Sequence, residues 1–577
     1  MSTLYIDNIP HEVAPGKNLL ETCLELGFDV PYFCWHPALG SVGACRQCAV
    51  KIYKDEEDKK GKLIMSCMEP VTKDQHISIN DPEAREFREN VIGWLMTNHP
   101  HDCAVCDEGG SCHLQDMTVM TGHAYRKFNF LKRTYKNQYL GPFLNHEMNR
   151  CIQCYRCVRF YKDYAGGNDL DVFASRNRVY FGRVEDGVLE NEFSGNLAEV
   201  CPTGVFTDKT LKQHYTRKWD LTMAPSICQH CSLGCNTIAG ERYGSLRMIS
   251  NRYNGEVNGY FLCDRGRFGY EFVNGDTRIR IPHRQNGVSS EIAFDKLVGE
   301  FETMDKMKIV GVGSARASLE SNYVLKKLVG ENNFYHGVSP REHELASLVT
   351  KILSSGIRSF SMKEVEKSDA VLILGEDLTN TAPMLALAVQ QSVRQQPLSM
   401  AMKAKIPEWN DAAVRELIQD DKGPLFIVSV ASTKLDTVAT ASRQVSPDGI
   451  ARMASAIAHV IDRDAPPVSD LRDDELRLAE TIGNSLMEAA CPVVISGTSL
   501  GSSSIIEAAA NVAIALKRKN DKGGVVYTLG ECNSLGLSLL DGEPFEQIQN
   551  RADAVDTIII LENDLYRHGG EKEVNDI

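Results

Sequence analysis

The sequence lacks long apolar runs and an excess of basic residues, and its second half contains only two cysteines. No apolar run of the 577 residues approaches the roughly 18–20 needed to span a bilayer. The start, MSTLYIDNIP, has neither the basic nor the apolar region of a secretory signal. We therefore expect any membrane contact to be made through another subunit. The formal net charge of −14 argues against a nucleic-acid ligand.

The 18 cysteines are concentrated at the start of the chain, and only Cys491 and Cys532 follow residue 264. A disulfide framework fits poorly, because the chain is large, has no export signal and spaces its cysteines two or three residues apart. Such spacing places several thiolates around one metal centre. It predicts a reducing, cytoplasmic compartment. The length predicts about three to five domains.

Residues 1–82 are predicted to form a small mixed domain. Period-two patterns predict strands over 3–9, 49–53, 62–66 and 76–80, and a helical pattern covers 18–26. Four cysteines predict a 2Fe–2S site, although their first gap is wider than in plant-type ferredoxins. Small residues at 40, 43 and 44 allow backbone N–H groups to approach sulfur. The four are Cys34, Cys45, Cys48 and Cys67, and we expect Cys23 to be a core residue.

A predicted helix over 83–98 leads into a segment with three cysteines and several histidines. Taken alone, this segment fits a zinc site with three thiolates and one imidazole. Its candidate ligands are Cys103, Cys106, Cys112 and one of His99, His101 and His113. A basic cluster follows, which we expect to be a solvated face rather than a docking patch for an acidic partner. It consists of Arg126, Lys127, Lys132, Arg133 and Lys136.

Two further cysteine groups follow. The C-x2-C-x2-C run with a remote Cys-Pro predicts a 4Fe–4S cluster, and its residues are Cys151, Cys154, Cys157 and Cys201. Strands over 179–182 and 192–194 are predicted between them. The second group is Cys228, Cys231, Cys235 and Cys263. We expect His230, inside that motif, to point to solvent.

Counting resolves the ambiguous segment. The groups contain four, three, four and four cysteines, which leaves Cys23, Cys491 and Cys532 outside them. Only the segment that ends at Cys112 is one thiolate short. His99, four residues before Cys103, is therefore the predicted fourth ligand, with His101 as its closest rival.

From about residue 290 the pattern becomes that of parallel α/β structure. Strands are predicted over 308–312, 370–374, 425–430, 492–496 and 557–561, and helices over 318–329 and 504–517. Residues 369–378 resemble 556–565, and 308–318 resemble 492–503. We interpret this repeat as two related doubly wound domains. Each has a Gly/Ser loop that fits a phosphate or simply a tight turn. We expect the chain to stop short of its natural end.

The motifs HPHDCAVCDEGGSCHLQD, CIQCYRCVRF with CPTGVF, and CQHCSLGCN with CDRGRFGYEF come in a recognisable order. The whole chain resembles the large iron–sulfur subunits of respiratory NADH:quinone oxidoreductase, complex I. From residue 221 onward it also resembles the molybdopterin oxidoreductases. The resemblance implies one 2Fe–2S cluster and three 4Fe–4S clusters on the groups above, with His99 as a ligand. The cluster on Cys228, Cys231, Cys235 and Cys263 would lie off the main electron path.

The resemblance implies an electron carrier between a flavin- and NADH-binding subunit and further iron–sulfur and quinone-site subunits, beside a small 2Fe–2S subunit. The whole complex would translocate protons, and this chain would lie peripherally within it, at the cytoplasmic side of the bacterial inner membrane. No FMN, NAD or molybdopterin is expected on this chain, and we find no catalytic triad or elbow motif.

The rival interpretation is a molybdenum- or tungsten-dependent formate dehydrogenase. Cys263, Arg265 and Gly266 fit its C-x-[KR]-G motif, but no cysteine occurs from 264 to 490 to bind molybdenum, and a serine or aspartate ligand stays open. A hydrogenase would need more clustered cysteines after 263, and a zinc scaffold would require every group to be misread.

The predicted fold class is α+β ferredoxin-like (β-grasp) and iron–sulfur domains, followed by α/β doubly wound domains of molybdopterin-oxidoreductase type. The predicted domains are 1–82, 83–122, 123–220, 221–280 and 281–577.

Overall fold

The computed structural model describes residues 2–280, 294–469 and 471–575. The predicted start of the α/β region, at residue 281, lies outside the described residues. Within them, no helix is both long and apolar enough to cross a bilayer.

The N-terminal region is a five-stranded sheet in the order β2-β1-β5-β3-β4, with one helix. The β1–β5 pair is parallel, and the other pairs are antiparallel. The predicted strand over 3–9 is too long, because Asp7 and Asn8 have φ of 47° and 68° and turn the chain into β2. The elements are β1 Ser2–Ile6, β2 Ile9–Val13, α1 Leu19–Glu25, β3 Ala49–Tyr53, β4 Lys62–Met65 and β5 Gln75–Ser78.

The next helix, α2, is Pro82–Met96, close to its predicted range. The Asp81 carboxylate accepts hydrogen bonds from the N–H groups of Glu83 and Ala84, and Pro82 occupies the first turn, where no N–H is needed. The cysteine-bearing loop follows. It ends at Cys112, which precedes α3, His113–Met120.

The central region contains two short antiparallel ribbons, β6 with β9 and β7 with β8. The predicted strand over 192–194 is wrong. Ser194 Oγ and the Gly195 N–H both donate to the Asp264 carboxylate, at 2.5 and 2.7 Å, which draws this segment into a turn. The elements are β6 Leu144–His146, α4 Arg156–Val158, which continues as the π-helix Arg159–Tyr164, β7 Asp171–Phe173, β8 Tyr180–Gly182, α5 Leu197–Val200, β9 Phe206–Asp208 and α6 Lys209–Lys212.

A three-stranded antiparallel sheet in the order β10-β11-β12 follows, with two short helices. The elements are β10 Thr222–Ile227, β11 Asn236–Arg242, β12 Ser245–Asn251, α7 Asp264–Phe268 and α8 Glu271–Asn274.

The remaining residues build two parallel sheets with helices. The first has the order β20-β14-β13-β21 and the second β17-β16-β15-β18-β19. In both, the order reverses beside the first strand, as in doubly wound folds. The strands are β13 Ile309–Val312, β14 Phe334–His336, β15 Ala370–Leu374, β16 Leu425–Ser429, β17 Ala441–Gln444, β18 Pro492–Gly497, β19 Gly524–Thr528, β20 Glu543–Pro544 and β21 Thr557–Ile560.

Every residue of β13, β15, β16 and β18 is buried, which explains their continuous apolar sequences. The helices are α9 Phe294–Thr303, α10 Leu319–Val329, α11 Pro340–Ser354, α12 Met362–Glu366, α13 Leu378–Thr381, α14 Pro383–Ser392, α15 Gln395–Lys403, α16 Asp411–Ile418, α17 Pro447–Ile461, α18 Asp473–Glu488, α19 Ser503–Asn520, α20 Ser534–Ser538 and α21 Glu571–Asn575.

The two sheets do not follow the order of the sequence repeat. β13, from the first copy, pairs with β21 from the second, and β15 pairs with β18. Each sheet therefore takes one strand from each copy, which corrects the interpretation that each copy forms a doubly wound domain of its own. Pairing across copies covers strand edges that a single copy would leave open.

Candidate metal centres

The first cysteine group is brought together between the loop before β3 and the 3-10 turn Ser66–Met68. The thiols of Cys45 and Cys67 both hydrogen-bond to Cys34, and this lowers the pKa of Cys34 well below the usual thiol range. The Cys67 thiol also hydrogen-bonds to Cys48, and this lowers the pKa of Cys48. The four sulfurs therefore form one connected set.

Backbone N–H groups point at this sulfur set, as the small residues of the loop predict. The N–H groups of Cys34 and Gln47 each lie 3.5 Å from Cys45 Sγ. Gly40 and Gly43 have φ of 66° and 67°, which their lack of a Cβ permits. N–H groups aimed at sulfur stabilise the thiolate that a metal ligand must be.

The second group lines one cavity of about 420 Å³, which His99, Cys103, Cys106 and Cys112 all border. His99 Nδ1 is buried without a hydrogen-bond partner, and burial lowers its pKa to about 4, which keeps the ring neutral at pH 7. A buried ring nitrogen in a cavity with three thiols fits a metal ligand.

The rival histidines have other partners. Nδ1 of His101 lies 3.5 Å from Lys132 Nζ, and the residue is exposed. Nε2 of His113 lies 2.7 Å from the Tyr32 carbonyl oxygen, so this ring nitrogen already has a hydrogen-bond partner. The geometry favours His99, whose role as a ligand stays a prediction.

The third group also surrounds one small cavity. Cys151, Cys154, Cys157 and Cys201 line it together with Phe181 and Phe206. Gln153 and Tyr155 adopt positive φ of 55° and 64°, which folds the C-x2-C-x2-C run tightly. The Gln153 N–H then reaches Cys151 Sγ at 3.3 Å. Burial raises the pKa of Cys154 to about 12.

The fourth group converges beside α7. A Cβ on Gly266 would lie 3.3 Å from Cys228 Sγ and 3.5 Å from Cys263 Sγ, so both sulfurs approach one point. Burial raises the pKa of these two thiols to about 11 and 12. His230 is only partly exposed, contrary to expectation, because its ring packs against Gly269 and Phe272.

Neighbouring cysteine groups contribute residues to the same apolar clusters. Cys34, Cys112 and Cys154, one from each of the first three groups, lie in a single apolar cluster with Phe33 and Ile152. Cys112 Sγ lies 3.8 Å from the Pro202 carbonyl oxygen, next to Cys201. The three sites are therefore adjacent, and apolar side chains fill the space where they meet. Cys157, Cys228, Cys235 and Cys263 share a second apolar cluster.

Cys23 is fully buried in the N-terminal core, which confirms its predicted place. Cys532 hydrogen-bonds to the carbonyl oxygens of Ala315 and Arg316, and Cys491 is partly buried just before β18. Within the described residues, no group of three or more His, Cys, Asp or Glu side chains is arranged to hold a single metal ion.

Three buried arginines beside the cysteine groups were not predicted from the sequence. Arg150 pairs with Asp102 at 2.6 Å and with Glu147 at 2.6 Å, beside the Cys106 loop. Arg156 and Arg159 lie 3% to 7% exposed near the first and third groups. Their positions in the sequence could have indicated them, because all three lie within two residues of a predicted ligand.

The predicted solvated basic face is only partly solvated. Lys132 donates to the His99 carbonyl oxygen, and Arg133 Nε donates to Asn98 Oδ1 at 3.2 Å. Both therefore hold the loop that carries the second group. Lys127 forms an exposed ion pair with Glu89 at 3.5 Å.

Four family models match successive parts of the chain. Residues 1–82 match a 2Fe-2S iron-sulfur cluster binding domain. Residues 88–127 match the NADH-ubiquinone oxidoreductase-G iron-sulfur binding region. Residues 141–207 match the ferredoxin-like domain of NADH-quinone oxidoreductase subunit 3, and 221–275 match the molybdopterin oxidoreductase Fe4S4 domain. The matched models thus include 2Fe–2S and 4Fe–4S binding domains.

A solved NAD+-reducing [NiFe]-hydrogenase chain matches 36% of this chain and 87% of its own length, with 25% identity. Its TM-score of 0.33 is too low to support an argument.

Curated relatives match over the whole chain. The G subunit of NADH-quinone oxidoreductase from Pseudomonas fluorescens is 55% identical over 580 residues, covering 100% of this chain. The G subunits from Escherichia coli O6:H1 and Salmonella typhimurium are each 51% identical over 583 residues, again covering 100% of this chain. The chain spans 64% of the length of each of these relatives. Over its whole length the chain is thus similar to the G subunits of NADH-quinone oxidoreductase.

Proposed function

We propose that this chain is an electron-carrying subunit of an NADH:quinone oxidoreductase. It would receive electrons from the flavin of a partner subunit and pass them toward quinone, while the whole complex translocates protons. The observation that carries this proposal is the apolar cluster that joins Cys34, Cys112 and Cys154. Electrons pass only between carriers that lie close together, and this cluster brings the proposed ligands of three sites together.

The proposed ligand sets are the four groups described above, one for a 2Fe–2S cluster and three for 4Fe–4S clusters. When bound, such clusters accept and release single electrons, at potentials set by charge, burial and hydrogen bonds to sulfur. The protein supplies these conditions with residues of its own. Phe181 and Phe206 exclude water from the third site, and the Gln47 and Gln153 N–H groups lie within 3.5 Å of ligand sulfurs.

The N-terminal sheet and helix fit the β-grasp fold that holds 2Fe–2S clusters, and the two parallel sheets fit the molybdopterin-oxidoreductase architecture. We also propose that the domains follow the sequence prediction, with 83–122 and 123–220 as separate iron–sulfur units. The chain would lie at the cytoplasmic side of the membrane, and flavin, NAD and molybdopterin would not bind it.

The face around the second site fits a partner subunit. Cys103 is exposed there, and Val119, which borders the same cavity, is one of three exposed apolar side chains in this part of the chain. Val105, Val119 and Leu131 are 73%, 81% and 96% exposed. Apolar surface of this kind marks protein interfaces. A downstream iron–sulfur subunit docked here could approach the second site closely, and the flavin-binding and small 2Fe–2S subunits would dock elsewhere.

The test is metal analysis of the anaerobically purified chain or complex, with low-temperature EPR after reduction. We expect iron and sulfide, distinct 2Fe–2S and 4Fe–4S signals, and no molybdenum or stoichiometric zinc. Stoichiometric molybdenum together with formate oxidation would instead establish the formate dehydrogenase interpretation. Zinc without iron would establish a structural scaffold.

A further inference from the structure

Two buried arginines connect the third cysteine group to the first. Arg156, which directly precedes Cys157, donates from Nε to the Trp35 carbonyl oxygen at 3.1 Å. Arg159 donates from Nη1 to the Cys34 carbonyl oxygen at 3.0 Å and from Nη2 to that of Leu39. A π-helical turn, Arg159–Tyr164, begins at this arginine, and such turns are frequent at functional sites. Arg159 therefore joins the segment just after Cys157 of the third group to the loop of the first group, where its guanidinium binds.

The charge of Arg159 is balanced by a residue 252 positions away in the α/β region. Asp411, the first residue of α16, accepts from Arg159 Nε at 3.3 Å. The two residues are only 3% and 7% exposed. Asp411 also accepts from Arg415 at 3.1 Å and from Arg394 at 3.5 Å. It is the carboxylate on which three guanidinium groups converge.

The segment that carries Asp411 also contacts the Cys34 loop directly. The Ser41 N–H donates to the Trp409 carbonyl oxygen at 2.7 Å. Gly40 has φ of 66°, and a Cβ there would lie 2.6 Å from the same oxygen, so this contact requires glycine. The backbone contact and the buried ion pair thus join residues 409–411 to one loop.

We propose that Asp411 is a positioning residue for the electron carriers: it holds Arg159 where it joins the first and third groups and sets the positive charge that both sites experience. This inference rests on the proposed function, because it concerns bound clusters. Reduction adds one negative charge to a cluster, so a nearby uncompensated cation favours the reduced form. In a buried setting such an effect is weakly screened. Asp411 offsets that cation and keeps both midpoint potentials lower than Arg159 alone would.

The test is an EPR-monitored redox titration of the full chain with its clusters, reduced stepwise by dithionite. Asp411→Asn keeps the shape of the side chain and removes its charge. We expect the midpoint potentials of the 2Fe–2S cluster and of the Cys151 cluster to rise, by about a tenfold change in the reduction equilibrium constant, or ~59 mV for one electron. Arg159→Met should lower both potentials, and the double variant should return them toward the wild-type values.

Two controls separate charge from structural damage. Asp163→Asn removes the same charge from a residue that pairs with Arg415 at 3.1 Å, and we expect a smaller shift there. The His99 cluster is the reference inside each sample, and its potential should move less than the other two. Iron content and EPR intensity verify that the clusters are present.

Opposite shifts for the two single variants, cancelled in the double variant, would support the role of Asp411. Intact cluster signals with potentials unchanged in Asp411→Asn would overturn it and leave the electron-transfer proposal standing. Shifts of the same sign in both single variants would also overturn it, because they would indicate distortion rather than charge. Absence of iron–sulfur signals from the wild-type chain would overturn the proposed function itself.

Discussion

Gly204 gives a selective way to disturb the second site. A Cβ at this position would lie 2.7 Å from Cys106 Sγ and 3.2 Å from Arg150 Cδ. Ordinary nonbonded contacts are about 3.5–4.0 Å, so alanine must displace the sulfur or the backbone by roughly 1 Å. Overpacking of this kind costs about 1–3 kcal/mol. That corresponds to about five- to more than a hundredfold weaker retention of the cluster.

The assay is iron content and EPR of Gly204→Ala purified anaerobically. We expect the signal of the His99 site to fall, whereas the Cys151 site keeps its signal, because the added methyl group points at Cys106 Sγ. Gly299→Ala is the matched control, since a Cβ there meets nothing within 4 Å. If Gly204→Ala keeps full occupancy and an unchanged spectrum at the His99 site, Cys106 is not a ligand in this geometry.

The remaining predictions test single residues. His99→Ala should abolish one 4Fe–4S EPR signal, and His99→Cys should keep it at a lower potential, because a thiolate adds negative charge; a signal that survives His99→Ala but not His101→Ala would make His101 the ligand. Cys23→Ala should keep the full iron content, and a loss of iron would place Cys23 in a cluster. Burial lowers the pKa of His146 to about 4, below about 6.5 when unfolded. The neutral ring therefore contributes fully to the free energy of unfolding above pH 6.5, and this contribution is lost as the pH falls toward 4. Hydrogen exchange of Leu144–His146 should show about 2 kcal/mol lost by pH 5, and His146→Gln should reduce that loss; an equal loss in the variant would exclude His146 as its source.

Local patterns predicted the elements that depend on local physics. β3 and β15 occur at their predicted bounds, Ala49–Tyr53 and Ala370–Leu374, because runs of β-branched and apolar residues favour buried strands. The helix after Ser318 begins as predicted, since its side chain accepts from the Ser321 N–H. Short strands were missed. β2 and β7 exist mainly through pairing with β1 and β8, which sequence periodicity does not record.

The cysteine groups could be predicted because most of their members are close in sequence. Of the remote members, Cys201 followed from its Cys-Pro motif, and counting thiolates in fours pointed to His99 as the ligand that completes the second group. Long-range relations had no such signal. The pairing of β13 with β21 and the ion pair of Arg159 with Asp411 each join residues more than 240 positions apart. Strand edges and buried charges choose their partners in three dimensions, so neither contact could be predicted from local sequence.

The basic cluster illustrates the same limit. Composition predicted solvated side chains, whereas Lys132 and Arg133 bind backbone and side-chain oxygens of the loop before Cys103. A basic side chain in solvent and one that hydrogen-bonds to a loop look the same in the sequence. The two cases can be distinguished only from the positions of the acceptors, which here are the His99 carbonyl oxygen and Asn98 Oδ1.

The central claim is that electrons pass through this chain on their way from NADH to quinone. Freeze-quench EPR of the complex that contains the chain tests this most directly. Excess NADH added without quinone should reduce the clusters of the first three sites as fast as the complex turns over, so that their EPR signals appear, and quinone should then reoxidise the clusters. If these clusters stay oxidised while the complex oxidises NADH with quinone at its full rate, electrons do not pass through this chain.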